Sequence, residues 1–398
     1  MSVSQRARDT APSPTLGITA KINALRAQGV DVIGFGAGEP DFDTPAHIKQ
    51  AAIDALNAGY TKYTPSSGAV DLKDAIIAKL ARDNHLNYKR ENVIVSCGAK
   101  HSLYNVMQAL LDPGDEVLIP SPYWVTYPEQ VRLAEGKAVY VETLPENDFM
   151  PTPEAVRAAI TPRTKALVLN SPSNPTGGVA SRQTVKDLAA LAVQHNFYLI
   201  SDEIYEKLLY DGREHLSPAA LEEEVFQRTV TINGCSKAYS MTGWRIGYAA
   251  AADTELVSAM GRLQDQSTSN PTSIAQKAAV AALNGSQEPV EEMRKAFEER
   301  RNLIVEKLNA IPGVACRMPG GAFYAFARIA DVLGKRAGDR ILQGSDDLAD
   351  YLLTQFDVGV IPGSGFGNDG YIRLSYATSR ENIVKGLERI EAGICKLE

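Results

Sequence analysis

Cysteine is scarce in this sequence, with four residues in 398, at positions 97, 235, 316 and 395. They lie far apart and lack C-x-x-C spacing, so no disulfide scaffold is expected and a reducing cytoplasm fits best. Histidine is rare too. The five, His47, His85, His101, His195 and His215, show no metal-ligand spacing, and no metal is expected. No window approaches the roughly 18 apolar residues of a membrane span, and no apolar run follows the arginines of the first ten residues, so neither anchoring nor export is expected. Long blocks of like charge are missing as well. The formal charge of −7 comes from 48 acidic and 41 basic residues dispersed along the chain, which argues against nucleic acid or an anionic membrane as a partner. No repeat or low-complexity tract is evident.

What is present is an ordinary globular composition, 44% hydrophobic, in a chain long enough for about two or three domains. Short β-branched runs alternate with longer amphipathic stretches: NVIVS (92–96), DEVLIP (115–120), KALVLN (165–170), FYLIS (197–201) and TVTIN (229–233). Nearly continuous apolar runs of this length suit strands covered on both faces, so the rhythm predicts an α/β fold with a mainly parallel sheet between helices. Functional groups are then expected at the carboxyl ends of the strands. From about residue 288 the pattern changes to a long charged amphipathic helix followed by the strand candidates GAFYAFARI, DVGVIP and YIRLSY. This predicts a smaller α+β domain built from residues 288–398 together with 1–45, whose helical segment Ile18–Gln28 and Gly-rich turn Gly34–Pro40 pack against it. Residues 46–287 form the large domain.

Each strand is followed by groups that suit a charged aromatic cofactor. After NVIVS come Cys97, Gly98, Ala99 and Lys100 at a strand-to-helix turn, where exposed backbone N–H groups can meet a phosphate; an empty tight turn is the plain alternative. Asn174 lies in the turn-rich SPSNPTGG, and Asn-Pro also marks ordinary turns. Asp202, at the end of FYLIS, could pair with a protonated ring nitrogen or simply cap a helix, with Tyr205 nearby for a ring oxygen. Lys237 follows TVTIN in a small-residue turn with Ser236 before it and Arg245 eight residues on. A lysine there could form an imine with an aldehyde, although most lysines are solvated surface groups. Neither Gly34–Gly38 nor Gly363–Gly367 gives a dinucleotide fingerprint, and Cys97 and Cys235 read as small fillers rather than nucleophiles.

Taken in order, AGEPDFDTP (37–45), YTKYTP (60–65), PSPYWVTYP (120–128), NSPSNPTGG (170–178), SDEIYE (201–206), SKAYSMTGWRIGY (236–248), GAFY (321–324) and IRLSYA (372–377) resemble the fold-type I, class I aminotransferases, the family of aspartate aminotransferase, over nearly the whole chain. The resemblance implies pyridoxal 5′-phosphate as cofactor. Lys237 becomes its Schiff-base lysine and proton carrier, Asp202 the ring-nitrogen partner, and Asn174 and Tyr205 the donors to the ring oxygen. Trp124 stacks on the ring, while Gly98, Ala99, Ser236 and Arg245 surround the phosphate. Tyr63 reaches the phosphate of the neighbouring subunit, which implies a homodimer with shared active sites. For the substrate, Arg373 offers a planar fork to the α-carboxylate, with Gly38, Asn174 and Trp124 completing its contacts.

The arginine that one branch of this family uses for a second carboxylate has no counterpart here. Lys100 matches the branch that uses a lysine, with hydroxyls from Ser267–Ser269 of the partner subunit beside it; otherwise it is a solvent-facing helix lysine. The expected activity is aspartate:2-oxoglutarate transamination. Prephenate, aromatic or alanine transamination is the alternative within the family, and a lyase or decarboxylase is the alternative on the same fold. A ligand-sensing regulator would need a DNA-binding module, for which the few residues before the matched region leave no room.

Overall fold

The structure, a computed structural model, describes residues 3–398. At its centre is a seven-stranded sheet of β1 (Val93–Ser96), β2 (Glu116–Ser121), β3 (Lys137–Glu142), β4 (Thr164–Asn170), β5 (Tyr198–Asp202), β6 (Thr229–Gly234) and β7 (Gly247–Ala251). The spatial order is β1-β7-β6-β5-β4-β2-β3. All neighbouring pairs are parallel except the two made by β7, which is antiparallel to both β1 and β6. Alternation along each strand explains the apolar runs. In β4, Ala166 and Val168 join one buried cluster with Ile200, Val230 and Ile232, whereas Leu167 and Leu169 join another, on the opposite face, with Leu118 and Leu199. A polar residue on either face would have been stranded away from water.

All five predicted strands form. Two further ones were not anticipated: β3, whose alternating KAVYVE is half exposed, and β7, whose GYAAA carries small residues in place of the β-branched run that marks a strand. At its first residue a glycine is required. A Cβ on Gly247 would lie 2.1 Å from the backbone nitrogen of Ala99, so close approach of β7 to the phosphate-turn candidate depends on that glycine.

The long charged stretch is one helix, Glu288–Ala310, with Val290, Met293, Phe297, Arg301, Ile304, Val305 and Leu308 on its buried face. It packs on a four-stranded sheet in the order Ile361–Pro362, Tyr371–Ser375, Tyr324–Arg328, Ala315–Cys316. The DVGVIP stretch, expected as one strand, divides: Val358–Gly359 pairs in parallel with Ile33–Gly34, and Ile361–Pro362 pairs with Tyr371–Ser375. Ile33 and Phe35 thereby enter a core of C-terminal residues that also takes in Ile204, Tyr205, Leu208 and Tyr210 from beyond the end of β5. After a short helix Gln5–Asp9, the helix expected from Ile18 runs Pro14–Ala27, starting four residues earlier because Ser13 caps it and Pro14 supplies a preset first turn. No described helix is long and apolar enough to cross a membrane.

Candidate active site

Strands β1, β6, β5 and β4 all end at the same edge of the sheet, and the antiparallel β7 begins there, which brings Arg245, two residues ahead of β7, to the same place. A cavity of about 450 Å³ opens at this edge. It is lined by Gly38, Ala99, Lys100, Trp124, Asn174, Asp202, Tyr205, Ser236, Lys237, Arg245 and Arg373. Eleven of the thirteen site candidates therefore share one cavity. Gly98 stands just behind Ala99, whereas Tyr63 is 91% exposed and is not among the residues lining the cavity.

At one end, Gly98 precedes the helix Ala99–Leu110 with φ of 92°, and a Cβ there would come within 2.4 Å of the Arg245 guanidinium. Arg245 is held by the carbonyl oxygens of Thr242 (2.7 Å) and Cys97 (3.3 Å). A helix N-terminus, a hydroxyl from Ser236 and a fixed guanidinium make a concentrated anion site.

In the middle, Asp202 is buried, and burial pushes its carboxyl up to about 6 even though it accepts hydrogen bonds from the Tyr127 hydroxyl (2.7 Å) and the Ile204 N–H (3.3 Å). A buried carboxylate with this partial support is suited to a cationic group. Lys237 donates to the carbonyl oxygen of Gly38, and burial lowers its ammonium to about 8, which leaves a usable fraction as the neutral amine near neutral pH. Trp124 lies edge-on to Tyr127, and the Lys100 ammonium sits 4.8 Å from the Trp124 ring centre. Burial, reinforced by Arg245, lowers the Lys100 ammonium from its ordinary value.

At the other end, Arg373 is buried. Its Nη1 donates to Asn174 Oδ1 (2.9 Å) and its Nη2 to the carbonyl oxygen of Gly36 (3.0 Å), while Nε has no partner among the described residues. Burial lowers its guanidinium below the ordinary arginine range. A buried cation with no carboxylate bound to it among the described residues calls for an anionic ligand. Gly38, expected beside the substrate carboxylate, lines the same cavity two residues on from Gly36. Since Asn174 spends its side-chain oxygen on Arg373, its amide hydrogens remain available. Asn170 sets the geometry: its oxygen accepts from the Asn174 N–H (2.9 Å), and its amide donates to the Asp202 carbonyl (3.0 Å).

Three residues that hydrogen-bond the site candidates are silent in the sequence although they stand within its motifs. Tyr127 supports Asp202, Asn170 ties together the ends of β4 and β5, and Tyr324 shares a hydroxyl–hydroxyl hydrogen bond of 2.8 Å with Tyr205. Only their partners, distant in sequence, reveal them. A second buried polar cluster was also not foreseen. Glu206 accepts from Lys79 and Asn84, and Glu203 faces His215 at 3.0 Å while accepting from Ser201 and Ser217. These groups lie close enough to hold a metal ion, but Glu206 is already bonded to the Lys79 ammonium. Cys235, as a filler should be, is buried, and burial pushes its thiol up to about 12.

The chain belongs to the aminotransferases of class I and II, whose family profile matches residues 30–390. It is 54% identical to the aspartate aminotransferase of Geobacillus stearothermophilus, with 98% of each chain covered. It is also 48% identical to the aspartate/prephenate aminotransferase of Thermus thermophilus, with 97% of each covered. Among solved structures, the aspartate aminotransferase from Rhizobium meliloti superposes with a TM-score of 0.96 at 46% identity, covering 100% of both chains.

Proposed function

We propose that this aminotransferase uses pyridoxal 5′-phosphate to exchange the amino group of L-aspartate with 2-oxoglutarate, giving oxaloacetate and L-glutamate. The observation that carries the proposal is the arrangement along one cavity of an anion site, a buried acid, an amine of lowered basicity and a buried guanidinium. These features fit the cofactor's phosphate, ring nitrogen and aldehyde and the substrate's carboxylate in that order. Bound there, the cofactor supplies an aldehyde that takes up the amino group and a cationic ring that accepts the electron pair released at the α-carbon.

The protein's part is positional and acid–base. Gly98, Ala99, Ser236 and Arg245 hold the phosphate, and Asp202 keeps the proton on the ring nitrogen. Asn174, through its unspent amide hydrogens, and Tyr205 donate to the ring oxygen, while Trp124 covers the ring. Arg373 grips the α-carboxylate in a forked geometry and so orients the α-hydrogen toward Lys237, whose Nζ removes that proton and would deliver it to the cofactor carbon that carried the aldehyde. Lys100, beside Trp124 and facing the cavity, receives the second carboxylate.

Residues 46–287 act as the cofactor-binding domain, and 1–45 with 288–398 as the smaller domain. Tyr63 serves the phosphate site of a second copy, with Ser267–Ser269 beside that copy's Lys100; the near-complete exposure of Tyr63 supports this. The four unpaired cysteines accord with a cytoplasmic location.

Incubating the holoenzyme with aspartate labelled at its amino nitrogen and 2-oxoglutarate tests the reaction. Label appearing in glutamate supports it; release of label as ammonia, or of carbon dioxide, places the enzyme among the lyases or decarboxylases. Because one 48%-identical relative is an aspartate/prephenate aminotransferase, prephenate belongs in the same experiment as a second acceptor.

A further inference from the structure

Tyr324 stands between the two halves of the site. Its hydroxyl is 2.8 Å from that of Tyr205, and its ring lies under Arg373, whose guanidinium carbon is 4.5 Å from the ring centre. The ring is fully buried and meets that of Tyr205 edge-on at 5.8 Å between centres. It also borders the cavity. Each phenol carries a single proton, so the pair has two possible directions. If Tyr205 donates to Tyr324, it has nothing left to give the cofactor. If Tyr324 donates to Tyr205, the proton of Tyr205 is free to point into the cavity.

We propose that Tyr324 is a positioning residue that donates to the Tyr205 hydroxyl and so commits the proton of Tyr205 to the cofactor's ring oxygen. The inference rests on the cofactor placement proposed above. Arg373 favours this direction, because a guanidinium over the Tyr324 ring draws electron density from it and makes its hydroxyl the better donor. A chain of two hydroxyls also polarises cooperatively, so the bond from Tyr205 to the oxygen is stronger with Tyr324 behind it than without. The charged groups facing the pair are Arg373, Lys237 and Asp202. All three are retained in the variants below.

The test is a pH titration of the visible absorption of the holoenzyme, comparing wild type with Tyr324→Phe, Tyr205→Phe and the double variant. The chromophore's proton is shared with the ring oxygen and is held to higher pH when that oxygen's negative charge is less well supported. Tyr324→Phe is expected to raise the midpoint by about half a unit, a roughly threefold change in proton affinity. Tyr205→Phe should raise it further, and the double variant should match Tyr205→Phe. Since phenylalanine preserves the ring under Arg373, KM for the amino acid should stay within about twofold. An unchanged midpoint in Tyr324→Phe, or an equal shift in both backgrounds, overturns the role of Tyr324 while leaving the cofactor placement intact. An unchanged midpoint in Tyr205→Phe removes the placement itself, and the proposal with it.

Discussion

Arg373 donates to the side-chain oxygen of Asn174 across the interval between the C-terminal sheet and the turn after β4, at 2.9 Å. The bond does two things. It fixes the fork of the arginine, and it fixes which end of the asparagine amide is left unspent.

Arg373→Lys keeps the charge and loses the fork. Loss of a bidentate, buried contact costs about 2–3 kcal/mol, so kcat/KM for aspartate should fall by about 30- to 150-fold. Steady-state kinetics checks this, and a change below threefold would contradict the carboxylate role.

Asp202→Asn should retain the fold and lose most transamination, since an amide does not hold a proton on the ring nitrogen. It has an opposite effect on stability. In the folded protein the carboxyl is raised to about 6, above its ordinary 3.8, so its ionisation opposes folding at neutral pH and this penalty disappears as pH falls through that range. Cofactor-free Asp202→Asn should therefore be more stable than wild type at pH 8, by at most about 3 kcal/mol, with the difference vanishing near pH 4. Denaturant melts at the two pH values measure it.

Gly98→Ala meets both a positive φ and the Arg245 guanidinium. Cofactor affinity, measured by equilibrium dialysis or fluorescence quenching, should drop by about 5- to 30-fold, a cost of about 1–2 kcal/mol being usual for such strain. Thermal stability without cofactor should fall less.

Lys100→Met should lower kcat/KM for aspartate and glutamate by about 10- to 100-fold while leaving alanine within about twofold, because only the dicarboxylates lose an ionic partner. Equal losses for all three would assign Lys100 to the site's general electrostatics.

Lys79→Met removes the cation paired with buried Glu206. Burial alone would raise that carboxyl, but Lys79, His215 and Asn84 bring it down to about 2. Its stabilising contribution is present above its ordinary pKa of 4.5 and is lost as pH falls toward 2. The variant should be destabilised by about 3–5 kcal/mol at pH 7, and by much less at pH 3 if the protein remains folded there.

The sheet was legible where strands are buried on both faces, because that environment demands consecutive apolar residues, as in β4 and β5. β7 is hidden because the approach of its first residue to the backbone of Ala99 requires glycine there, and the alanines that follow carry no strand signal. Single catalytic candidates could be read because each follows a strand end in sequence. Their supports could not: Tyr127 reaches Asp202 across 75 residues and Tyr324 reaches Tyr205 across 119, and no local pattern encodes either pairing. The same holds for Lys79 and Glu206, separated by 127 residues.

The most direct test of the central claim is a single-turnover experiment in which the holoenzyme is mixed with one amino acid at a time and its visible spectrum followed. Aspartate and glutamate should each convert the chromophore to the aminated form rapidly and release one equivalent of the matching keto acid, with alanine and phenylalanine much slower. A spectrum unmoved by aspartate and glutamate, or a protein that shows no cofactor absorption at all, would contradict the account.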